Sequence, residues 1–387
     1  MTPSITLPRS DGTFYTRRLN APAVLPTSAH PATSRVAYAA AHVVADPLRA
    51  CAGDSEARID WDATLAVRRR LWGLGLGVAE AMDTAQRGMG LSWGAVQRLV
   101  RESLSEASTV GADVVVGVST DQLPAGERPD VATVLQAYRE QIGYVESHGG
   151  RAVVMASRHL AAAAAGPDDY QKVYSTLLAE AARPVVLHWL GEAFDPALRG
   201  YWGSTDFEKA ADVVLGIIND HPDKVAGIKM SLLDADKEVE VRRRLPSGVR
   251  LFTGDDYNYV DLIAGDGVHH SDALLGAFAL IAPYASAALA ALDADDVPGF
   301  RGILSPTLGL SRLVFEAPTY YYKVGVVWLA YLTGAQNHFR MIGGLESGRS
   351  VLHLVEVFEH ADDLGLFPDP DLAAARMAAV LQLNGVG

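Results

Sequence analysis

The chain has 387 residues, 33 basic against 46 acidic, for a formal charge of −13 at pH 7. At 49% hydrophobic and 20% charged residues it has a globular balance, and the excess of acid without Lys/Arg clusters argues against a nucleic-acid partner or an anionic membrane surface. A single cysteine, Cys51, excludes an intrachain disulfide and a cysteine metal site, and a cytoplasmic location is the simplest expectation.

Residues 1–19 are polar and broken by proline, without the apolar run of a secretory signal. Residues 4–18 predict two short strands around a Ser-Asp-Gly turn, and a linker rich in Ala, Pro, Ser and Thr follows to residue 34. Apolar strand-like runs then recur at 36–44, 74–79, 113–118, 152–156, 184–189, 225–230, 249–253 and 267–269. Helical patterns alternate with them at 61–72, 93–106, 131–147, 169–182, 207–219, 235–244, 259–264 and from 273 onward. Eight strand–helix repeats are the count of a (β/α)8 barrel. An open doubly wound sheet would usually show a Gly-rich phosphate loop after its first strand, and His42-Val43-Val44-Ala45-Asp46-Pro47 is none. The expected architecture is therefore α/β: an N-terminal extension with a hairpin (1–34), a (β/α)8 TIM barrel (35–282) and a helical C-terminal segment (283–387). Residues 273–292 carry no charge, a length that could cross a bilayer, but their alanine content and Pro283 favour a buried barrel helix.

Barrel enzymes place chemistry at the C-terminal ends of their strands. The polar residues expected there are His42; Glu80, Asp83 and Thr84; Ser119 and Asp121; Arg158 and His159; His188; Lys229; Asp255 and Asp256; and His269, His270 and Asp272. Lys229 stands out, a lone lysine in the apolar run Val225-Ala226-Gly227-Ile228-Lys229-Met230. Lysine is seldom fully buried without a reason, and a desolvated amine loses its proton readily enough to attack a carbonyl.

Three motifs in order, Gly227-Ile228-Lys229, Phe252-Thr253-Gly254-Asp255 and Ala264-Gly265-Asp266-Gly267-Val268, resemble the dihydrodipicolinate synthase / N-acetylneuraminate lyase superfamily of class I Schiff-base lyases. Weaker echoes are Tyr320-Tyr321-Tyr322-Lys323 and Arg340. The resemblance covers residues 35–345, is strongest over 225–276, and places the chain in a divergent branch. It implies that Lys229 is the nucleophile on strand six, with no separate cofactor, and that the partners are a small-molecule substrate and further copies of the chain in a homo-oligomer. On this reading His188 or His159 moves protons, while Asp83, Thr84, Arg158, Thr253, Gly254, Asp255, Asp256 and His270 contact substrate or orient the lysine.

The departures bear on the substrate. Where the family has a Gly-Thr-Thr-Gly-Glu loop that holds the carboxylate of pyruvate, this chain has Met82-Asp83-Thr84-Ala85-Gln86, and an aspartate there would repel a carboxylate and suit a sugar hydroxyl. The family's proton-relaying tyrosine at the end of strand five is replaced by His188. The loop 190–204, with Glu192, Asp195, Tyr201 and Trp202, is expected to offer rings and acids to a sugar. Tyr320–Tyr322 and Trp328 read as core or subunit interface. The rival readings are a metal-dependent barrel enzyme, with a divalent ion held by His188, Glu80, Asp255 and His269 or His270, and a barrel that has lost catalysis.

Overall fold

Short, apolar, uninterrupted strands cannot leave either face in water, so they must close on each other and be covered by helices. The computed structural model, which describes residues 2–49 and 56–386, has that arrangement; Cys51 lies outside the described residues. The chain opens with the antiparallel hairpin β1 (Ser4–Pro8) and β2 (Phe14–Arg18). The barrel begins with β3 (Ala37–Ala40), α1 (Trp61–Trp72), β4 (Gly77–Glu80) and α2 (Trp93–Val110). It continues through β5 (Val114–Val118), α3 (Val131–Ser147), β6 (Ala152–Val154), α4 (Arg158–Ala163), α5 (Pro167–Glu180) and β7 (Val185–Leu190). Then come α6 (Phe207–Asp220), β8 (Val225–Ser231), α7 (Ala235–Arg244), β9 (Arg250–Thr253), α8 (Tyr259–Ala264) and β10 (Asp272–Leu275). The strands β3 to β10 pair in parallel in sequence order, and β10 returns to β3 to close the barrel. The (β/α)8 architecture expected from the alternation is thus the observed one.

Helix starts are encoded locally. The side chains of Asp60, Ser92, Asp130, Asp206 and Asp234 each accept a hydrogen bond from the backbone three residues on, each such cap contributing about 1 kcal/mol. Inside the barrel, Tyr38, Val115, Val153, Val186 and Phe252 belong to one buried cluster, and a larger cluster fills the space between strands and helices. The resulting shape fixes which residues face inward. In β8, Gly227, Lys229 and Ser231 alternate with Ile228 and Met230, which belong to the outer core.

After β10 the chain is helical: α9 (Ala277–Leu280), α10 (Ala282–Asp293), α11 (Val297–Leu304), α12 (Leu308–Val314), α13 (Tyr322–Leu332), α14 (Val351–Asp363) and α15 (Pro370–Leu383). The N-terminal hairpin packs on this segment: Arg17 pairs with Glu359 and Asp362 of α14 at 3.3 and 2.8 Å.

Two expectations are corrected. The eighth strand is Asp272–Leu275 and not residues 267–269, which form a turn held by the Asp266 carboxylate on the amides of Val268 and His269 at 3.0 and 2.8 Å. The uncharged run 273–292 is accordingly β10, α9 and α10 and not one helix, and among the described residues no helix is long and apolar enough to cross a membrane.

Candidate active site

Strand pairing puts His188 of β7 directly beside Lys229 of β8, with Phe252 of β9 on the lysine's other side. Both polar side chains enter the barrel near its C-terminal end. There they line a small cavity of about 20 Å³ with Met82, Asp83, Thr84, Ser231, Asp256 and Tyr322. Lys229 is 8% exposed, and among the described residues its ammonium makes no hydrogen bond or ion pair. Burial pushes its pKa down, against the pull of the Asp256 and Asp83 carboxylates. Space for it is left by Gly254. A Cβ there would stand 2.6 Å from Lys229 Cε and 2.2 Å from Ser231 Oγ.

Burial raises the Asp256 pKa to about 7, although one of its oxygens accepts the Ala277 amide at 2.8 Å. The two shifts bring the proton affinities of the amine and the carboxyl lining one cavity closer together. His188 is wholly buried; its Nε2 lies 3.2 Å from Ser231 Oγ, and among the described residues its Nδ1 has no partner. Burial first, and then the Lys229 charge, hold it neutral far below the usual histidine range. Leu190, Phe194 and Phe315 close the cavity with Tyr322, whose ring stacks on Phe315 at 4.5 Å. The Tyr322 and Thr84 hydroxyls share a hydrogen bond of 2.8 Å.

A second cavity of about 120 Å³ adjoins the first through Asp83, Leu190, Phe194 and Tyr322. It is lined also by Arg87, Asp121, Arg158, His159, Tyr320 and Lys323. Arg87 is used up within the protein, on Asp121, the Ala81 and Gly117 carbonyls and Gln141. Arg158 pairs through Nε with Asp195. His159 has both nitrogens engaged: Nε2 donates to the Pro124 carbonyl at 3.2 Å, so Nδ1 accepts from Thr120 Oγ1 at 2.9 Å. Of the two histidines expected to move protons, only His188 reaches the lysine's cavity.

The other expected site residues divide. Asp83, Thr84 and Asp256 line the inner cavity, and Arg158 the outer one. Thr253 instead donates to Glu238 at 3.0 Å, and Asp255 accepts the Tyr257 and Asn258 amides at 2.8 and 3.0 Å, so both serve the turn after β9. His270 precedes β10 and therefore lies at the opposite end of the barrel, where Arg35, Arg242 and Arg250 are its charged neighbours. The donors named for a divalent ion do not converge. Glu80 is locked to Arg68 at 2.8 and 2.9 Å, Asp255 to its turn, and His269 sits with His270. Among the described residues no group of three or more His, Cys, Asp or Glu side chains is placed to hold a metal ion.

Tyr201 and Trp202 are likewise buried, the former bonded to Tyr174 and the latter packed among Tyr170, Tyr174 and Trp189, so neither offers a ring to a sugar. The residues missed from sequence are Tyr320 and Tyr322, which read as core or subunit interface, and Lys323, which is given no role; all three line the cavities.

Comparison with known proteins bears on the family and on the fold. A family model described as "Protein of unknown function (DUF993)" matches residues 5–386. Among curated proteins none matches the chain. In fold the chain is similar to dihydrodipicolinate synthase from Aquifex aeolicus, at 12% identity and a TM-score of 0.64 over 85% of this chain and 97% of that one. The enzyme from Thermotoga maritima (13% identity, TM-score 0.64, 86% and 100% of the two chains) is similar too. So is that from Bacteroides thetaiotaomicron (12%, 0.63, 88% and 100%). The likeness expected from the three motifs thus holds for the fold.

Proposed function

The chain belongs to the family described as protein of unknown function DUF993, and from that premise we propose that it is a Schiff-base-forming lyase, of aldolase or dehydratase type, acting on a small carbonyl compound. The observation that carries the reading is Lys229: a buried amine with no hydrogen bond or ion pair among the described residues, at the inner end of the sixth barrel strand, facing a cavity closed by aromatic side chains.

The proposed reaction begins when Lys229 gives up a proton, through a water or the substrate, to Asp256 of the same cavity, and its free amine adds to the carbonyl carbon. The carbonyl oxygen takes up a proton, and loss of water leaves an iminium. That cation takes the electron pair of a bond at the neighbouring carbon to give an enamine. Either a proton leaves and the enamine then expels a hydroxyl from the next carbon as water, or the carbon–carbon bond breaks, an aldehyde leaves and the enamine takes up a proton. Water finally hydrolyses the iminium and frees the lysine. The Nδ1 of neutral His188, without a partner among the described residues, can hydrogen-bond the substrate. The Tyr322–Thr84 hydroxyl pair can hand a proton on. Tyr322, from the C-terminal segment, thus supplies the phenol that strand five lacks. Leu190, Phe194 and Phe315 keep bulk water from the iminium.

Borohydride reduction followed by intact-mass measurement tests this, with pyruvate, longer 2-oxo acids, hydroxyacetone-type ketones and keto-sugars as probes. The expected result is a covalent adduct that maps to Lys229 and is lost in Lys229→Ala. No adduct with any probe, or turnover that survives Lys229→Ala, overturns the proposal.

A further inference from the structure

Lys323 is a second buried amine. It is 2% exposed and the one charged residue of α13, and among the described residues its ammonium makes no hydrogen bond or ion pair. Its Nζ lies 4.3 Å from the Tyr320 ring centre and 5.1 Å from that of Tyr322, and the residue lines the outer cavity. Ring faces attract the cation but are a poor substitute for water or an anion. The same cavity is lined by Arg158, of which, among the described residues, only Nε is engaged, so that both terminal nitrogens are left to a ligand. The Arg87 guanidinium is saturated by contrast, and Asp121 with it. Asp83 lies between the two cavities and lines both.

We propose that Lys323 and Arg158 form the subsite for an anionic group of the substrate, a carboxylate or phosphate ester carried on the side of the molecule away from the reacting carbonyl. This deepens the Schiff-base reading and rests on it for the position of the carbonyl. The inner cavity sets Asp83 and Asp256 against one cation, Lys229, whereas the outer one sets Asp83 and Asp195 against two, Lys323 and Arg158, and so is the better place for an anion. The cavity is well below the 300 Å³ or more of pockets for drug-sized ligands, so the substrate is a short chain with its carbonyl and anionic group a few carbons apart.

Calorimetric titration with inorganic phosphate and with malonate tests the subsite apart from the lysine chemistry. The wild type and Lys229→Ala should bind one of the two anions with affinities within about threefold of each other, and the anion preferred tells phosphate ester from carboxylate. Lys323→Met should weaken that binding by about tenfold or more, and Lys323→Arg should keep it. Arg158→Ala, at an exposed position where folding is not at stake, should weaken it severalfold by itself. Binding of neither anion by the wild type overturns the proposal, as does unchanged binding in Arg158→Ala. If phosphate or malonate binds through Lys323 while no carbonyl compound traps Lys229, the subsite stands and the Schiff-base reading falls. Trapping at Lys229 without anion binding gives the converse.

Discussion

The two ends of the barrel differ in a way that size alone would misjudge. The lower, N-terminal end has the roomier openings, about 450 and 440 Å³, around Tyr38, Asp113 and Arg151. Yet its charged groups satisfy one another. Tyr38 donates to Asp113 at 2.6 Å, Arg151 holds both, Arg250 pairs with Asp272 at 2.7 Å, and Arg35 spends its guanidinium on the carbonyls of Ser34, Ile263 and Ala264. The upper end has far less room but keeps two lysines and a histidine nitrogen without partners among the described residues. Buried polar groups left unpaired cost stability, and a ligand in these two adjoining cavities would supply the missing partners. The proposed chemistry is assigned to the upper end on this contrast.

The sharpest way to break that contrast is Lys229→Met. It should lower kcat/KM by about a thousandfold or more, roughly 4 kcal/mol of barrier, while thermal unfolding stays level or rises because a buried amine is exchanged for an apolar chain. Unfolding that drops with activity would make Lys229 a structural residue. A paired substitution of glycines comes next. Gly254→Ala pushes a methyl into Lys229 Cε and should slow borohydride trapping by about tenfold to a hundredfold. Gly77→Ala drives one into the Tyr38 ring, 2.6 Å away, and should cost about 1–3 kcal/mol of stability while leaving the trapping rate alone. Equal effects of the two on trapping would erase the distinction between the ends.

How much of this was legible in the sequence follows from what interrupts an apolar run. Seven barrel strands are bounded by polar or glycine-containing turns and fall where the alternation puts them. The eighth was hidden because β10, α9 and α10 share an uncharged stretch with no polar break, while the nearby Gly265-Asp266-Gly267 turn imitates a strand boundary. Lys229 was legible as a lone lysine among apolar neighbours. Lys323 carries the same mark, the only charge in an apolar helix, but the three tyrosines before and beside it read as core. Asp255 and Asp256 show the limit of position alone: adjacent residues at one strand end, of which the first caps a turn and the second faces the lysine. Which side chain turns inward is settled by the backbone after β9, not by residue type.

Smaller effects sharpen the comparison through pH and through one hydroxyl. Burial lowers the Lys323 pKa to about 8, with Asp83 and Asp195 opposing that shift and Arg158 adding to it. The protonated amine is the form that holds an anion, so binding of phosphate or malonate should be full below pH 8 and fall as pH rises through it. Titrating the wild type and Lys323→Arg side by side checks this. The guanidinium stays charged throughout, so a decline shared by both proteins would assign the effect to another group. At the lower end, Tyr38→Phe removes a hydroxyl that bonds Asp113 and Arg151 and should cost about 1 kcal/mol in thermal unfolding. Its kcat and anion affinity should match the wild type, because no group it releases reaches the cavity of Lys229. A changed kcat in Tyr38→Phe would mean that the inward-facing residues stacked between the ends transmit strain upward, and the lower end would then belong to the site.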